Sequence, residues 1–212
     1  MRLMVFGATG RTGQPFVRQA LANGHTVTAL VRNAVKIPTD IREKITVIEG
    51  NVMSSTDVAH AVGKSNADAV VSTLGPVKGS PDDLMTKAAD SIVAAMKEHS
   101  VSRLVWMTGA GVPGDGDQPK FMDHVVKGLL KLLAGKVLVQ SEHAAETVRN
   151  SGLEWTIVRA PMLTDAEPSG SYRVGRVGVG TGAKLIRADG AAYILTLVEN
   201  GEEIGKSPVV SN

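Results

Sequence analysis

The chain has 212 residues, within the size of one compact domain, since single cores usually split only above about 250–300 residues. Its 43% hydrophobic and 21% charged residues exclude disorder for most of its length and suffice for a globular core. The 23 basic and 21 acidic residues leave a formal charge of +2, and aromatic residues make up 3%, so neither a polyanion-binding surface nor a base-stacking platform is expected and nucleic acid is not a predicted partner. No cysteine is present, which excludes disulfides, thiolate catalysis and cysteine-bound metal; redox chemistry would have to come from a cofactor. The opening MRLMVFGATG is interrupted by glycine too early for a signal peptide or a membrane span, so a cytoplasmic protein without a membrane partner is predicted.

Short apolar runs recur along the chain: RLMVFG, HTVTALVR, KITVIEG, ADAVVSTLG, SRLVWMTGA and LEWTIVRAP. Each is continuous rather than alternating, as expected of strands buried on both faces of a parallel sheet, and each is followed by a segment of helical spacing. After the first run, Phe16, Val17, Ala20 and Leu21 form one apolar stripe and Asn23-Gly24 supplies a left-handed stop. After the fourth, Ser80-Pro81-Asp82-Asp83 reads as a helix start, with Leu84, Ala88, Ile92, Val93 and Met96 facing inward. From Phe121 to Val139, the residues Phe121, Met122, Val125, Val126, Leu129, Leu132 and Leu133 make a broad apolar face, for core packing ahead of a substrate wall or a dimer contact. The repetition predicts an α/β fold of the Rossmann type: a doubly wound parallel sheet with helices on both faces, in one domain over residues 1–212. The last fifty residues break the pattern and read as a small substrate cap, from about residue 164 to 212, over the carboxyl ends of the strands.

The most specific local signal is FGATGRTG, with Gly7, Gly10 and Gly13 between the first strand and the first helix. A pyrophosphate held at a helix start needs bare backbone N–H groups, and side chains at the first two glycines would obstruct the turn or the ligand. Folds that select NAD carry an acid at the end of the second strand, about 20 residues on. Here Arg32 stands nineteen positions beyond Gly13, followed by Lys36, which favours the extra phosphate of NADP(H). Arg11, inside the turn, could reach the same phosphate.

Taken together, FGATGRTG, LVRN, EGNV, STLG, SIVAAMKEHSVSRLVWMTGA and SGLEWTIVRAPML resemble the atypical short-chain dehydrogenase/reductase family, and within it the biliverdin-IXβ reductase/flavin reductase and NmrA-like NAD(P)-binding proteins. The resemblance implies phosphate contacts at Thr9, Gly10, Arg11, Thr12 and Gly13, and contacts of Arg32 and Lys36 with the adenosine phosphate. It also implies Asn51 and Val52 beside the adenine, Thr73, Leu74 and Gly75 along the middle of the cofactor, and Thr108 with Pro161, Met162 and Leu163 at the nicotinamide end. Asn51 replaces the aspartate common in the family.

The tyrosine and lysine four residues apart that serve carbonyl reduction have no counterpart: Tyr172 is followed at that spacing by Arg176 and Tyr193 by Leu197, and the family-like positions hold Val137 and Ser141. Gly109 and Met162 stand where biliverdin reductases carry a serine and a histidine. A conjugated acceptor, which spreads new charge over its rings, needs no strong protein acid. Thr108, Lys120 and His124 are the polar candidates near the mouth, with Thr108 and His124 as the catalytic pair of choice; His143 is a weaker candidate, and His25, His60 and His99 lack metal-ligand spacing, so no metal site is expected. The glycine-rich turn from Gly109 to Gly116 reads as a mobile lid or as a plain long loop.

Two functions fit: an NADPH-dependent reductase of a small aromatic or conjugated substrate, working as a monomer or weak homodimer, or a non-catalytic NADP(H)-binding sensor. Charge-assisted hydrogen bonds contribute about 1.5–3 kcal/mol, so Arg32→Ala is expected to weaken NADPH roughly tenfold or more while sparing NADH. Titration of both coenzymes against tryptophan fluorescence checks this; equal losses would remove the ribose-phosphate assignment.

Overall fold

A computed structural model describes residues 1–119 and 121–212, with the side chains of residues 121–127 and 129–134 outside the description. The chain runs β1 (Arg2–Phe6), α1 (Gly13–Ala22), β2 (Thr26–Val31), a 3-10 turn (Ala34–Lys36), α2 (Thr39–Arg42), β3 (Thr46–Glu49), α3 (Ser55–Ser65), β4 (Ala69–Ser72), α4 (Leu84–Glu98), β5 (Arg103–Gly109), α5 (Phe121–Arg149) and β6 (Glu154–Ala160). It continues with β7 (Met162–Thr164), β8 (Arg173–Gly175), β9 (Lys184–Ile186), α6 (Arg187–Asn200) and β10 (Val209–Ser211). All six apolar runs are parallel strands of one eight-stranded sheet, ordered β3-β2-β1-β4-β5-β6-β10-β8.

Their unbroken hydrophobicity has the expected cause. Leu3 and Val5 of β1 enter one apolar cluster, with Phe16 and Val17 of α1 and Ile194 and Leu197 of α6. Met4 and Phe6 enter the other, with Val58 of α3, Ile92 and Met96 of α4 and Ala144 of α5. Alternate residues therefore face opposite helix layers, and both faces must be apolar. Strand order reverses at β1, whose neighbours are β2 and β4, so the crevice of the topological switch opens above the ends of β1 and β4.

Helix ends refine the sequence reading. Gly24 stops α1 at φ +78°, and the amides of Gly24 and His25 return to the carbonyls of Leu21 and Ala20, a left-handed C-terminal cap. By contrast, α4 starts at Leu84 rather than within Ser80–Asp83. The Ser80 hydroxyl accepts from the Val77 amide and closes a tight turn instead. Between β2 and β3 the chain has room only for the 3-10 turn and one turn of α2, entered through Pro38.

The expected cap is mostly sheet and helix layer. β10 pairs parallel with β6, β8 pairs antiparallel with β10, and α6 packs beside α1. The free edge of β6 explains this: a buried strand needs its hydrogen-bonding groups satisfied, and Val209 and Val210 are buried in doing so. Only the two-stranded β7-β9 ribbon and the segment after β7 remain over the carboxyl edge.

The glycine-rich turn after β5 is pinned. Arg159, fully buried on β6, donates to both carboxylate oxygens of Asp117 at 2.6 and 2.8 Å and to the carbonyls of Val112 and Ser207. Asp117 also accepts from the amides of Gly114 and Val177. A β-carbon on Gly114 would lie 2.5 Å from Arg159 Cζ, so a side chain there would displace the guanidinium that the loop crosses. This clamp favours the plain long loop over the mobile lid.

Burial pushes the Asp117 carboxyl upward, but the bonds from Arg159 and the two amides outweigh it and hold the group below the ordinary carboxylate range. A depressed folded value means that the clamp stabilises the protein above the unfolded value of about 3.9 and is lost as pH falls below that value and through the folded one. Asp117→Ala, which strands a buried arginine, is expected to cost about 3 kcal/mol, a melting shift of roughly 6–12 °C. Asp117→Asn is expected to flatten the acid limb of the stability curve; thermal melts at neutral and acid pH check both outcomes.

Candidate functional site

The turn between β1 and α1 is shaped by close backbone contacts. Gly7 adopts φ +92°, and a β-carbon there would lie 2.9 Å from the backbone carbon of Thr73. On Gly13 it would lie 2.1 Å from the Gly7 carbonyl oxygen; on Gly10 the same oxygen would be 3.1 Å away. The Gly10 amide donates to Gly7 at 2.8 Å, and the Gln14 and Phe16 amides start the α1 ladder on Gly10 and Thr12. The amides of Arg11, Thr12 and Gly13 have no acceptor among the described residues. Three unpaired N–H groups at the head of a ten-residue helix form an anion cradle, so this turn fits a pyrophosphate.

Adjacent strand ends complete the crevice. The Thr73 amide donates to the Phe6 carbonyl at 2.9 Å, which places Thr73 against the turn, with Leu74 half-buried and Gly75 exposed beyond it. Thr108, next to last in β5, pairs in register with Arg159, and its hydroxyl has no hydrogen bond among the described residues. Pro161, Met162 and Leu163 follow β6; Met162 is 58% exposed and Leu163 packs on the core. The fold therefore brings Gly7–Gly13, Thr73–Gly75, Thr108 and Pro161–Leu163 to one edge of the sheet.

At the other end of the crevice, Arg32 lies just past β2 and Lys36 in the 3-10 turn; both are exposed and have no acidic partner among the described residues. Glu49, at the end of β3, holds this loop by accepting from the Ala34 amide at 2.7 Å. Asn51 Oδ1 accepts from the Met53 amide at 3.0 Å and its own amide donates to Asp57. Its Oδ1 is thus engaged locally, while Nδ2 has no acceptor among the described residues. Val52 is buried in the core and offers little surface.

The polar candidates separate. The whole of Lys120 and the side chain of His124 lie outside the described residues. His143 lines a groove along α4 and α5 with Thr86, Asp90, Lys97 and Asn150, which includes none of the crevice residues. His60 and His99 line a second groove, between α3 and α4. His25 joins Glu199 at 2.7 Å beside the Met1 amino group.

Acidic anchors escaped the sequence reading. Asp165, after β7, bonds Arg11 and Arg187 at 2.7 Å each. Asp189, buried in the first turn of α6, accepts from the Ser169 amide and hydroxyl, the Gly170 amide and Asn212 Nδ2. Burial raises its carboxyl, yet these bonds hold it below the ordinary range. No local motif announces such pairs, because the partners are 19 to 154 residues apart. Arg11 is consequently engaged with the segment after β7 rather than directed towards the phosphate site beside Arg32.

Gly13→Ala forces a methyl into the Gly7 carbonyl, and overpacking of this kind costs about 1–3 kcal/mol. The expected outcome is a melting temperature lower by several degrees together with loss of anion binding at the turn, measured by thermal melting and pyrophosphate titration.

Comparison with known proteins agrees with this geometry. Residues 7–201 match the profile described as NAD(P)H-binding. The chain is 26% identical to the uncharacterized protein YwnB of Bacillus subtilis (strain 168), over 92% of this chain and 86% of that one. It superimposes with a TM-score of 0.81 and 23% identity on a short-chain dehydrogenase/reductase from Veillonella parvula DSM 2008 in complex with NADP, covering 99% and 94% of the two chains. ChuY, an anaerobillin reductase from Escherichia coli O157:H7, gives a TM-score of 0.79 at 21% identity, covering 99% and 96%. With a Rossmann-like sheet, a glycine turn at its switch point and the family match across nearly the whole chain, the protein belongs to the NAD(P)H-binding family.

Proposed function

We propose that the protein is an NADPH-dependent reductase that delivers hydride to a conjugated acceptor of the flavin, quinone or tetrapyrrole-like class. The observation that carries the reading is the glycine turn, whose three amides without an acceptor among the described residues stand at the switch point of the sheet. The positive end of α1 adds to their pull on a pyrophosphate. Arg32 and Lys36, both without an acidic partner among the described residues, support the choice of the phosphorylated ribose, as does the NADP complex of a neighbour sharing the fold.

The bound coenzyme supplies the hydride; the chain supplies position and a surface. Thr73, Leu74 and Gly75 would line the middle of the coenzyme, with Thr108 and Pro161–Leu163 at its reactive end. Val77 of the β4–α4 loop and Met162 are exposed apolar side chains at this edge, suited to the flat face of a conjugated ring. The Thr108 hydroxyl, without a hydrogen bond among the described residues, would hydrogen-bond the acceptor or the nicotinamide amide.

Proton supply supports the acceptor class. Val137 and Ser141 of α5 offer neither phenol nor ammonium. Tyr193 is only 5% exposed, packs on Tyr172 and has an unpartnered hydroxyl, and burial pushes its ionisation further up. An acceptor that delocalises its new charge takes its proton from water. The likeness to ChuY, an anaerobillin reductase, supports a tetrapyrrole-like ligand within the class.

The test has two stages. NADPH binding is followed through Trp106 and Trp155 fluorescence, and NADPH oxidation is then measured with FMN, FAD, quinones and biliverdin. Turnover with at least one acceptor is expected, with NADPH preferred to NADH. Tight binding without turnover across the panel would replace the reductase by a redox sensor.

A further inference from the structure

Arg11 sits in the phosphate turn, yet its side chain is already engaged. Its Nη1 donates to Asp165 Oδ2 at 2.7 Å, while Arg187 Nε donates to Asp165 Oδ1, also at 2.7 Å. One carboxylate thus bridges the glycine turn and the head of α6. The two arms are unequal. Arg187 is 12% exposed, whereas Arg11 is 70% and Asp165 55% exposed. The inner arm is held by packing; the outer arm is an ordinary surface ion pair, which contributes little and exchanges readily.

Arg11 also adjoins the three unpaired amides. A phosphate seated on them comes within reach of its guanidinium and offers several charged oxygens, a better partner than one shared carboxylate. We propose that Asp165 is a built-in competitor for the coenzyme's phosphates. It holds Arg11 while the cleft is empty, yields it to the pyrophosphate on binding, and stays on Arg187 throughout. The competitor lowers coenzyme affinity and hastens release, because Asp165 recaptures Arg11 as the phosphates leave. This inference rests on the dinucleotide reading given above.

The exchange does not require the segment after β7 to unfold. Its backbone is held independently by Asp189, through Ser169 and Gly170, and by Asn212, which donates from Nδ2 to the Ser171 carbonyl. Replacement of Asp165 therefore alters the competitor while leaving these anchors in place.

The test uses Asp165→Asn, with Asp165→Ser as a second variant should the first lose stability, each alone and combined with Arg11→Ala. Equilibrium and stopped-flow fluorescence give affinities and release rates for NADPH and NADH, and inorganic pyrophosphate serves as a minimal competitor. Loss of a surface ion pair corresponds to about a 2- to 5-fold effect. Both coenzymes and pyrophosphate are expected to bind about 2- to 5-fold tighter to the Asp165 variants, with coenzyme release slower by a similar factor. No gain is expected when Arg11→Ala is already present. Unchanged or weaker binding in folded Asp165 variants, or a gain that persists without Arg11, would overturn the competitor and leave the dinucleotide reading standing. If the wild-type protein binds neither coenzyme, both fall.

Discussion

Between the end of β1 and the start of α1 the backbone doubles back until a β-carbon on Gly13 would lie 2.1 Å from the Gly7 carbonyl oxygen and one on Gly7 would meet Thr73 at 2.9 Å. The remaining architecture depends on this approach. It brings the head of α1 down onto the central strand, joins the ends of β1 and β4, and leaves three amides without an acceptor among the described residues. A side chain at either glycine would lift the helix and spoil the cradle at once. Packing and ligand recognition are thus met by the same absence of side chains.

Around that turn the structure uses buried and half-buried ions as ties between distant segments. Arg159 and Asp117 fix the loop after β5. Arg103, buried on β5, donates to carbonyls of Glu154, Leu197 and Glu202 and so closes the end of α6 against the sheet. Asp189 gathers the loop around Ser169. Each buried charge has several hydrogen-bonded partners, without which its desolvation would be prohibitive. The segments anchored by Arg159 and Asp189 lie towards the carboxyl edge, leaving a firm rim for a ligand that needs accurate placement, whereas Arg103, first in β5, ties the opposite edge. The outer arm of Asp165 is the contrasting case, an exposed contact whose weakness suits it to exchange.

The chemistry proposed for the crevice follows from what its walls offer. Bare amides and cations suit phosphates, exposed apolar side chains suit a flat ring, and α5 presents no phenol at the position from which carbonyl reductases deliver a proton. Hydride transfer to a delocalising acceptor asks only for proximity and an oriented surface. The limited polar equipment of the site and the choice of acceptor are therefore two sides of one argument.

The sequence by itself determined the doubly wound sheet and the glycine turn. Continuous apolar runs can be satisfied only between two helix layers, as Leu3 and Met4 show by entering opposite clusters, and Gly7 and Gly13 stand where backbone must touch backbone. Those signals are local, set by residues within a few positions of one another. Only the tertiary structure decided that the last fifty residues extend the sheet through β10 and β8, that Arg159 and Asp117 fasten the supposed lid, and that Arg11 meets Asp165 across 154 positions. Three-residue strands and charged side chains carry no periodicity of their own. Their partners are chosen by the free edge of β6 and by the cost of leaving a buried charge alone, conditions that arise once the core has brought distant segments together.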